Sequence, residues 1–264
     1  MSKGTIRVLG MMAVAIALQG CKGSSSTDAL AAAATPTPTP GTNATGLWSG
    51  GDSTSGLALT GIINAAGLAY FIRSDGVIFT GQPQVSTGTI AVALDGYTNF
   101  GSAFPDGSTS GVGTLNGTVT TATTLAGTVA FTTSAGTSVP GKWSLNYDAL
   151  STIGSSLAAI SGNYTDAVNG ATVSITGGGV MTSQVPANGC VLNGTVSSAD
   201  TTTDVYEVSY SYASCTGAYA VLNGVQFGGL AALDTSVSPS QIVMVVSSQS
   251  ATGSYALYSA LNAT

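Results

Sequence analysis

Histidine is absent from the 264-residue chain, and positive charge is scarce. Lys and Arg together number 5 against 11 Asp and Glu, and only Arg73 and Lys142 lie beyond residue 45. Without histidine the chain cannot build a Ser-His-Asp or Cys-His nucleophile, or a zinc site with histidine ligands. An acidic domain with two cations repels phosphate backbones, so nucleic acid is not an expected partner.

Few residues remain as candidates for acid-base chemistry. Glu207 is the sole glutamate, and three positions along a predicted strand from Asp204 its side chain points to the opposite face. Lys142 precedes a predicted strand and belongs to no recognisable Ser-Lys motif. Most aspartates lie in turns, and no compact D-x-D-x-D-G calcium loop occurs. The sequence therefore predicts no catalytic residues, no metal site and no cofactor.

A short apolar run, residues 8–17, follows Lys3 and Arg7 near the start of the chain. It is much shorter than the roughly 20 residues that span a bilayer as a helix. A charged segment, a short apolar segment and small residues before a cleavage point are typical of a secretory signal peptide, which we place at residues 1–20. The tetrad Leu18-Gln19-Gly20-Cys21 that ends this segment resembles the lipobox of bacterial lipoproteins.

The lipobox resemblance implies that cleavage precedes Cys21 and that its sulfur carries a diacylglycerol, so the membrane becomes a partner through a lipid anchor. Two or more acyl chains hold a protein stably at a bilayer. Lipoproteins that are retained in the inner membrane commonly have Asp directly after the cysteine. This chain has Lys22 at that position, and the difference favours the outer membrane of the cell envelope. The alternative is an ordinary secretory signal followed by an unmodified cysteine.

A tether of Ser, Ala, Thr, Pro and Gly follows, and we assign residues 21–45 to the lipidated cysteine and this tether. Such a composition has too little apolar surface to offset the entropy of ordering, so we expect disorder. The alternating prolines of residues 35–40 favour polyproline II, which makes a semi-rigid spacer.

Short β-prone segments recur through the rest of the chain, with Asp-Gly and Asn-Gly pairs among them. These pairs supply the positive φ angles of tight hairpins. The six pairs are Asp75-Gly76, Asp95-Gly96, Asn116-Gly117, Asn169-Gly170, Asn193-Gly194 and Asn223-Gly224. The sequence thus predicts an all-β protein of antiparallel, hairpin-rich meanders, with one short helix within residues 150–160.

Two halves of this region, residues 46–148 and 149–264, repeat the same order of features. Gly46-Leu47-Trp48 opens the first and Gly162-Asn163-Tyr164 opens the second. We interpret this order as duplication of a β-meander, with chance similarity between glycine-rich strands as the alternative. The expected architecture is two related barrel-like or sandwich-like halves, or else a single barrel.

The Gly-x-Trp and Gly-x-Tyr openings, each followed by a strand with Thr-Gly, resemble the first strands of small ligand-binding barrels such as lipocalins and avidins. The whole layout resembles the uncharacterised β-rich surface lipoproteins of proteobacteria. The first resemblance implies a small-ligand barrel. The second implies a location and a fold class but no activity.

Cys190 and Cys215 form a pair in the second half, each beside a predicted strand. Exported proteins meet oxidising conditions, so a disulfide is expected. A metal pair is the alternative, although the chain offers no histidine and no third free cysteine as further ligands.

Tyr206, Tyr210 and Tyr212 lie on one side of a strand predicted at residues 203–212. Such an aromatic stripe either fills the core or faces a sugar or apolar ligand. With enzyme chemistry set aside, the sequence favours a surface-tethered binding or adhesion module whose ligand is unknown. A structural envelope component without a specific ligand is the alternative, followed by a small-ligand barrel.

Overall fold

Residues 44–250 and 253–264 are described by the computed structural model of the protein. The predicted signal peptide, the lipidation site at Cys21 and nearly all of the tether lie outside the described residues. Sixteen strands form two closed antiparallel barrels of eight strands each, which confirms the all-β fold class with two barrel-like halves.

Barrel 1 is a meander in which each strand pairs with the next and β8 returns to pair with β1. Its strands are β1 (Gly46–Asp52), β2 (Leu57–Ile63), β3 (Ala69–Arg73), β4 (Val77–Ser86), β5 (Thr89–Thr98), β6 (Ser110–Thr120), β7 (Thr124–Thr133) and β8 (Ser138–Tyr147).

Barrel 2 repeats this order and closes by pairing β16 with β9. Its strands are β9 (Gly162–Asp166), β10 (Thr172–Ile175), β11 (Val180–Gln184), β12 (Val191–Ser197), β13 (Tyr206–Ala213), β14 (Gln226–Asp234), β15 (Gln241–Ser250) and β16 (Gly253–Ala263). Two short helices occupy the region of the single predicted one, a 3₁₀ turn at Ala149–Thr152 and α1 at Leu157–Ile160. A second 3₁₀ helix, Gly217–Leu222, precedes β14.

Three of the six Asp-Gly and Asn-Gly pairs lie in turns, as predicted. Gly76, Gly170 and Gly224 adopt φ angles of 85°, 72° and 76°. These angles are accessible to glycine without a steric penalty, which explains the residue type at each position.

The other three pairs were wrongly predicted as turns, because they lie inside β5, β6 and β12. Glycine is needed there for space. A Cβ at Gly96 would collide with the Phe131 ring, and one at Gly194 would collide with the side chain of Tyr210. At Gly117 the backbone of β7 would obstruct a Cβ. Glycine inside a strand marks such close approaches.

Each barrel has its own interior core, and Phe100 from barrel 1 packs against the core of barrel 2. In barrel 1 the Phe79 ring centroid lies 5.2 Å from the centroids of both Phe131 and Trp143, while that of Phe71 lies 5.1 Å from Trp143. All four aromatic residues are buried. Barrel 2 has a separate interior core around its tyrosines, valines and methionines.

The two barrels begin in the same way. Trp48 of β1 donates its indole N–H to the carbonyl oxygen of Ala44 at 2.8 Å, and Tyr164 of β9 donates its hydroxyl to that of Ile160, also at 2.8 Å. In both cases a buried aromatic residue is bonded to the backbone four positions earlier. The matched positions are those with which the two sequence halves open.

A third core, the interface core, joins the outer walls of the barrels. Its members are Leu47, Ile62, Tyr70, Ile72, Ile78 and Tyr97 from barrel 1, Val205 from the segment before β13, and Leu230, Ala232, Val245 and Ala256 from barrel 2. Hydrogen bonds cross beside it: Tyr70 donates its hydroxyl to the Gly228 carbonyl at 3.0 Å, and the Phe100 N–H bonds to the Ala256 carbonyl at 3.1 Å. The barrels therefore pack side by side.

Candidate functional site

A cleft of about 540 Å³ opens beside the interface core and is lined by both barrels. Small-molecule sites usually have volumes of about 300–1,000 Å³ and mostly apolar linings with a few placed polar groups. The aliphatic part of this lining consists of Leu47, Ala58, Ile72, Leu150, Ala232 and Val243. The barrel walls thus supply an apolar floor outside either filled interior.

The cation of the cleft lining is Arg73, at the end of β3. It is 8% exposed and bonds to Asp75 through two nitrogens, with Nε 2.9 Å from Oδ1 and one terminal nitrogen 2.7 Å from Oδ2. Burial opposes ionisation of Asp75, but the bonds and charge of Arg73 outweigh it and hold its pKa below the ordinary value. The positive charge of Arg73 is therefore neutralised within the protein.

Two carboxylates line the cleft from opposite barrels. Asp148 follows β8 and caps the 3₁₀ turn, with Oδ1 accepting the Leu150 N–H at 3.0 Å. Asp234 ends β14, and its Oδ1 accepts the N–H of Ser236 at 2.8 Å and its hydroxyl at 2.6 Å. Across residues 44–250 and 253–264, Arg73–Asp75 is the only salt bridge, so neither carboxylate is paired with a cation.

Tyr258 and Gln241 complete the polar part of the lining from barrel 2. Gln241 donates its side-chain amide to Asn262 at 2.8 Å, which fixes its orientation. Burial raises the pKa of the half-buried Tyr258, so its phenol stays neutral and can both donate and accept a hydrogen bond.

Asp204 lies close to the cleft residue Asp234 but is only 1% exposed. Its Oδ2 accepts the Leu233 N–H at 3.1 Å, and its own N–H bonds to the Ser151 carbonyl at 3.2 Å. Burial raises the pKa of this carboxyl to about 7, and the charge of Asp234 adds to the effect. The strand predicted from residue 203 begins at Tyr206, so Asp204 precedes it.

Two of the three tyrosines of the predicted stripe, Tyr206 and Tyr210, belong to the core of barrel 2. Tyr206 and Tyr210 are 0% and 2% exposed inside barrel 2, where Tyr210 stacks on Phe227 with centroids 5.5 Å apart. Their side chains point inward because alternate residues of β13 face the barrel interior. Tyr212 is half-buried and lines a smaller cavity of about 130 Å³.

Cys190 and Cys215 form a disulfide, which confirms that pairing. The bridge joins the segment before β12 to the segment after β13, and both cysteines are buried. Asn223 holds the same corner, because its side chain accepts the Cys215 N–H at 2.8 Å and donates to the Cys215 carbonyl at 3.1 Å.

The remaining acid-base candidates from the sequence are Glu207 and Lys142, and each makes a hydrogen bond within the fold. Glu207 accepts a hydrogen bond at 3.0 Å from Asn64 of barrel 1. Lys142 is exposed on β8, and its backbone N–H bonds to the buried Asp52 at 2.9 Å. Over the described part of the chain, no group of three or more His, Cys, Asp or Glu side chains is arranged to hold a metal ion.

Comparison with models of known protein families gives no match, and comparison with curated proteins gives none either. Among the described residues, no helix combines the length and apolar character needed to cross a membrane.

Sequence reasoning missed the cleft, because its lining combines residues from both halves. One signal was present in β3, whose residues Ala69–Arg73 are buried at all five positions. An unbroken apolar run indicates a strand buried on both faces. The run Ala-Tyr-Phe-Ile therefore pointed to a second packed layer on the outside of barrel 1.

Proposed function

We propose that the protein is a lipid-anchored envelope lipoprotein of the outer membrane whose two barrels form a non-enzymatic binding module. The observation that carries the binding role is the lined cleft between two filled barrels. Filled interiors alone would suit a structural component equally well, whereas a 540 Å³ cleft with an apolar floor and a few polar groups is typical of a ligand site.

The location of the cleft distinguishes this proposal from a lipocalin-like or avidin-like function. In a small-ligand barrel the ligand occupies the barrel interior. Here Trp48, Phe79 and Trp143 fill that space in barrel 1, and Tyr206 and Tyr210 fill it in barrel 2. The ligand site that the proposal uses lies on the outer walls instead.

The anchoring part of the proposal rests on sequence. The lipobox-like tetrad that ends at Cys21 supports lipidation, and the proline-containing tether after it supports a spacer between the membrane and the barrels. The absence of histidine and the neutralisation of Arg73 by Asp75 support a non-enzymatic role, since few groups could stabilise a developing negative charge.

A blocking substitution tests the binding role. Ala58 lines the cleft but is exposed, so Ala58→Trp should fill the cleft without disturbing a core. Ala91→Trp is the matched control, at an exposed position on β5 outside the cleft lining. In a fragment screen of the mature chain by NMR, we expect hits that lose about tenfold or more in affinity in Ala58→Trp and bind Ala91→Trp normally.

Hits that bind both variants equally would place ligand binding elsewhere and contradict the cleft. Turnover of an ester, peptide or glycoside by the purified chain, lost on changing Glu207 or Lys142, would contradict the non-enzymatic assignment.

A further inference from the structure

We infer that the cleft selects ligands with a compact apolar body and a positive charge, an inference that rests on the proposed binding function. The chemical class follows from three features of the cleft: its apolar floor, its two unpaired carboxylates and its neutralised arginine.

The apolar body is specified by the floor. Leu47 and Ile72 of barrel 1 and Ala232 of barrel 2 are nearly fully buried where the cleft meets the interface core. Val243 and Leu150 extend this surface outward. Covering the exposed part of this lining, which includes half-buried Val243 and Leu150 and exposed Ala58, removes apolar area from water, so an aromatic or aliphatic group gains by binding there.

The positive charge is specified by Asp148 and Asp234. Each uses Oδ1 to hold its own turn, and no hydrogen bond from a described residue reaches either Oδ2. Both carboxylates line the same cleft. A ligand ammonium group could therefore approach them without displacing an existing cation.

Anionic ligands are disfavoured by the same lining. Arg73, the cation among the described lining residues, already forms a two-nitrogen bond to Asp75 and offers little net charge to an incoming carboxylate or phosphate. Beyond residue 45 the chain carries 2 cations and 10 acids, a formal charge of 2 − 10 = −8. A field of that sign concentrates cations near the surface and repels anions.

The effect of ligand charge is separated from that of ligand shape by comparing three probes that share an indole ring. Tryptamine is positively charged at pH 7, tryptophol is neutral and indole-3-propionate is negatively charged. Their affinities for the mature chain would be measured by NMR at pH 7 and low salt, following the resonances of cleft residues. We expect tryptamine to bind about fivefold or more tightly than tryptophol, and indole-3-propionate to bind most weakly. Added salt should reduce the preference, because the carboxylates are accessible to solvent ions.

Asp148→Asn and Asp234→Asn identify the groups responsible, since asparagine keeps the Oδ1 acceptor and removes the charge. Each should lower tryptamine affinity about threefold and leave tryptophol unchanged. Asp200→Asn is the matched control: it removes one charge from an exposed turn outside the cleft, where Oδ1 accepts the Thr202 N–H at 2.9 Å. It should have no effect.

The outcomes distinguish this inference from the function on which it rests. Equal binding of tryptamine and tryptophol at the cleft, or an equal loss in Asp200→Asn, would overturn the charge selectivity and leave the cleft as a binding site. Tightest binding by indole-3-propionate would also overturn it. If none of the probes shifts a cleft resonance, both the selectivity and the proposed cleft fail.

Discussion

At the residue scale, two buried carboxyl groups show how hydrogen bonding decides the charge state. Asp52 is 2% exposed, and burial opposes its ionisation, but it accepts bonds from the Lys142 N–H, the Thr54 N–H and the Ser55 hydroxyl, so its pKa is lowered. Asp204 is equally buried but accepts one such bond, and its pKa rises to about 7. The number of donors and the sign of the nearby charge, Arg73 for Asp52 and Asp234 for Asp204, together separate the two groups.

Asp204 should make the stability of the folded protein depend on pH. Its pKa is about 7 in the folded protein, against an ordinary value of 3.8 for an aspartate in the unfolded chain, so between these values only the folded state holds the proton. The contribution of Asp204 to stability should therefore be complete below about pH 4 and be lost as the pH rises to about 7, by on the order of 2–4 kcal/mol. Asp204→Asn should remove this contribution, keep only the slope that comes from Asp166, whose pKa burial also raises, and be more stable than the wild type at pH 8.

Urea unfolding at a series of pH values measures this effect. Asp200→Asn is the control, because the pKa of Asp200 is lowered by bonds from Thr202 and its contribution is lost only below the ordinary range of aspartate. It should keep the wild-type slope between pH 4 and pH 8. A wild type whose stability is flat over this interval would show that Asp204 is ionised without cost.

At the element scale, strand alternation made most of the fold predictable, whereas glycine made the turns ambiguous. In β5, buried Ile90, Val92 and Leu94 alternate with exposed neighbours, which is the pattern that indicates a half-buried strand. The same Asp-Gly sequence occurs in hairpin turns and inside strands where a bulky side chain packs against the glycine. Gly76 belongs to the first class and Gly96, against which the Phe131 ring packs, to the second, and only the three-dimensional packing separates them.

The disulfide of barrel 2 has no counterpart among the described residues of barrel 1, so its removal should affect the barrels unequally. The bridge spans 25 residues, and closing a loop of that length stabilises a protein by about 3 kcal/mol. A variant with Cys190→Ala and Cys215→Ala should lose about that much stability in barrel 2.

The chain itself supplies a probe for each barrel. Its two tryptophans, Trp48 and Trp143, both lie in barrel 1, so tryptophan fluorescence follows the unfolding of that barrel. Hydrogen exchange of β12 and β13 follows barrel 2. We expect the exchange of these strands to accelerate in the variant while the fluorescence midpoint moves much less. An equal shift of both signals would mean that the interface core makes the barrels unfold as one unit.

At the scale of the whole molecule, the packing of one barrel against the other could not be predicted from the sequence. The interface core takes outward-facing residues from several strands of both halves, such as Tyr70 from β3 and Leu230 from β14. In either half alone, most of these residues look like ordinary apolar positions on a strand, and the unbroken run of β3 indicates a covered outer face without showing what covers it. The cleft takes its lining from both walls, so its carboxylates, Asp148 and Asp234, appear in the sequence as unrelated turn residues.

The proposed lipidation of Cys21, which would set the location of the molecule, can be tested in cells. We expect the wild type to incorporate labelled palmitate and to fractionate with the outer membrane, because acyl chains on Cys21 anchor it there. Cys21→Ser should take up no label. It should either keep its signal segment or appear as a soluble periplasmic form. A wild type without label in the soluble fraction would contradict the anchor.

The central claim is that the protein binds its ligand between two filled barrels and not inside either one. Intermolecular NOEs from a bound tryptamine to methyl-labelled protein test this claim most directly. We predict NOEs to Leu150, on the barrel 1 side of the cleft, and to Val243 of barrel 2 in the same complex. NOEs to Met181 and Val208 instead, which lie in the interior of barrel 2, would contradict it.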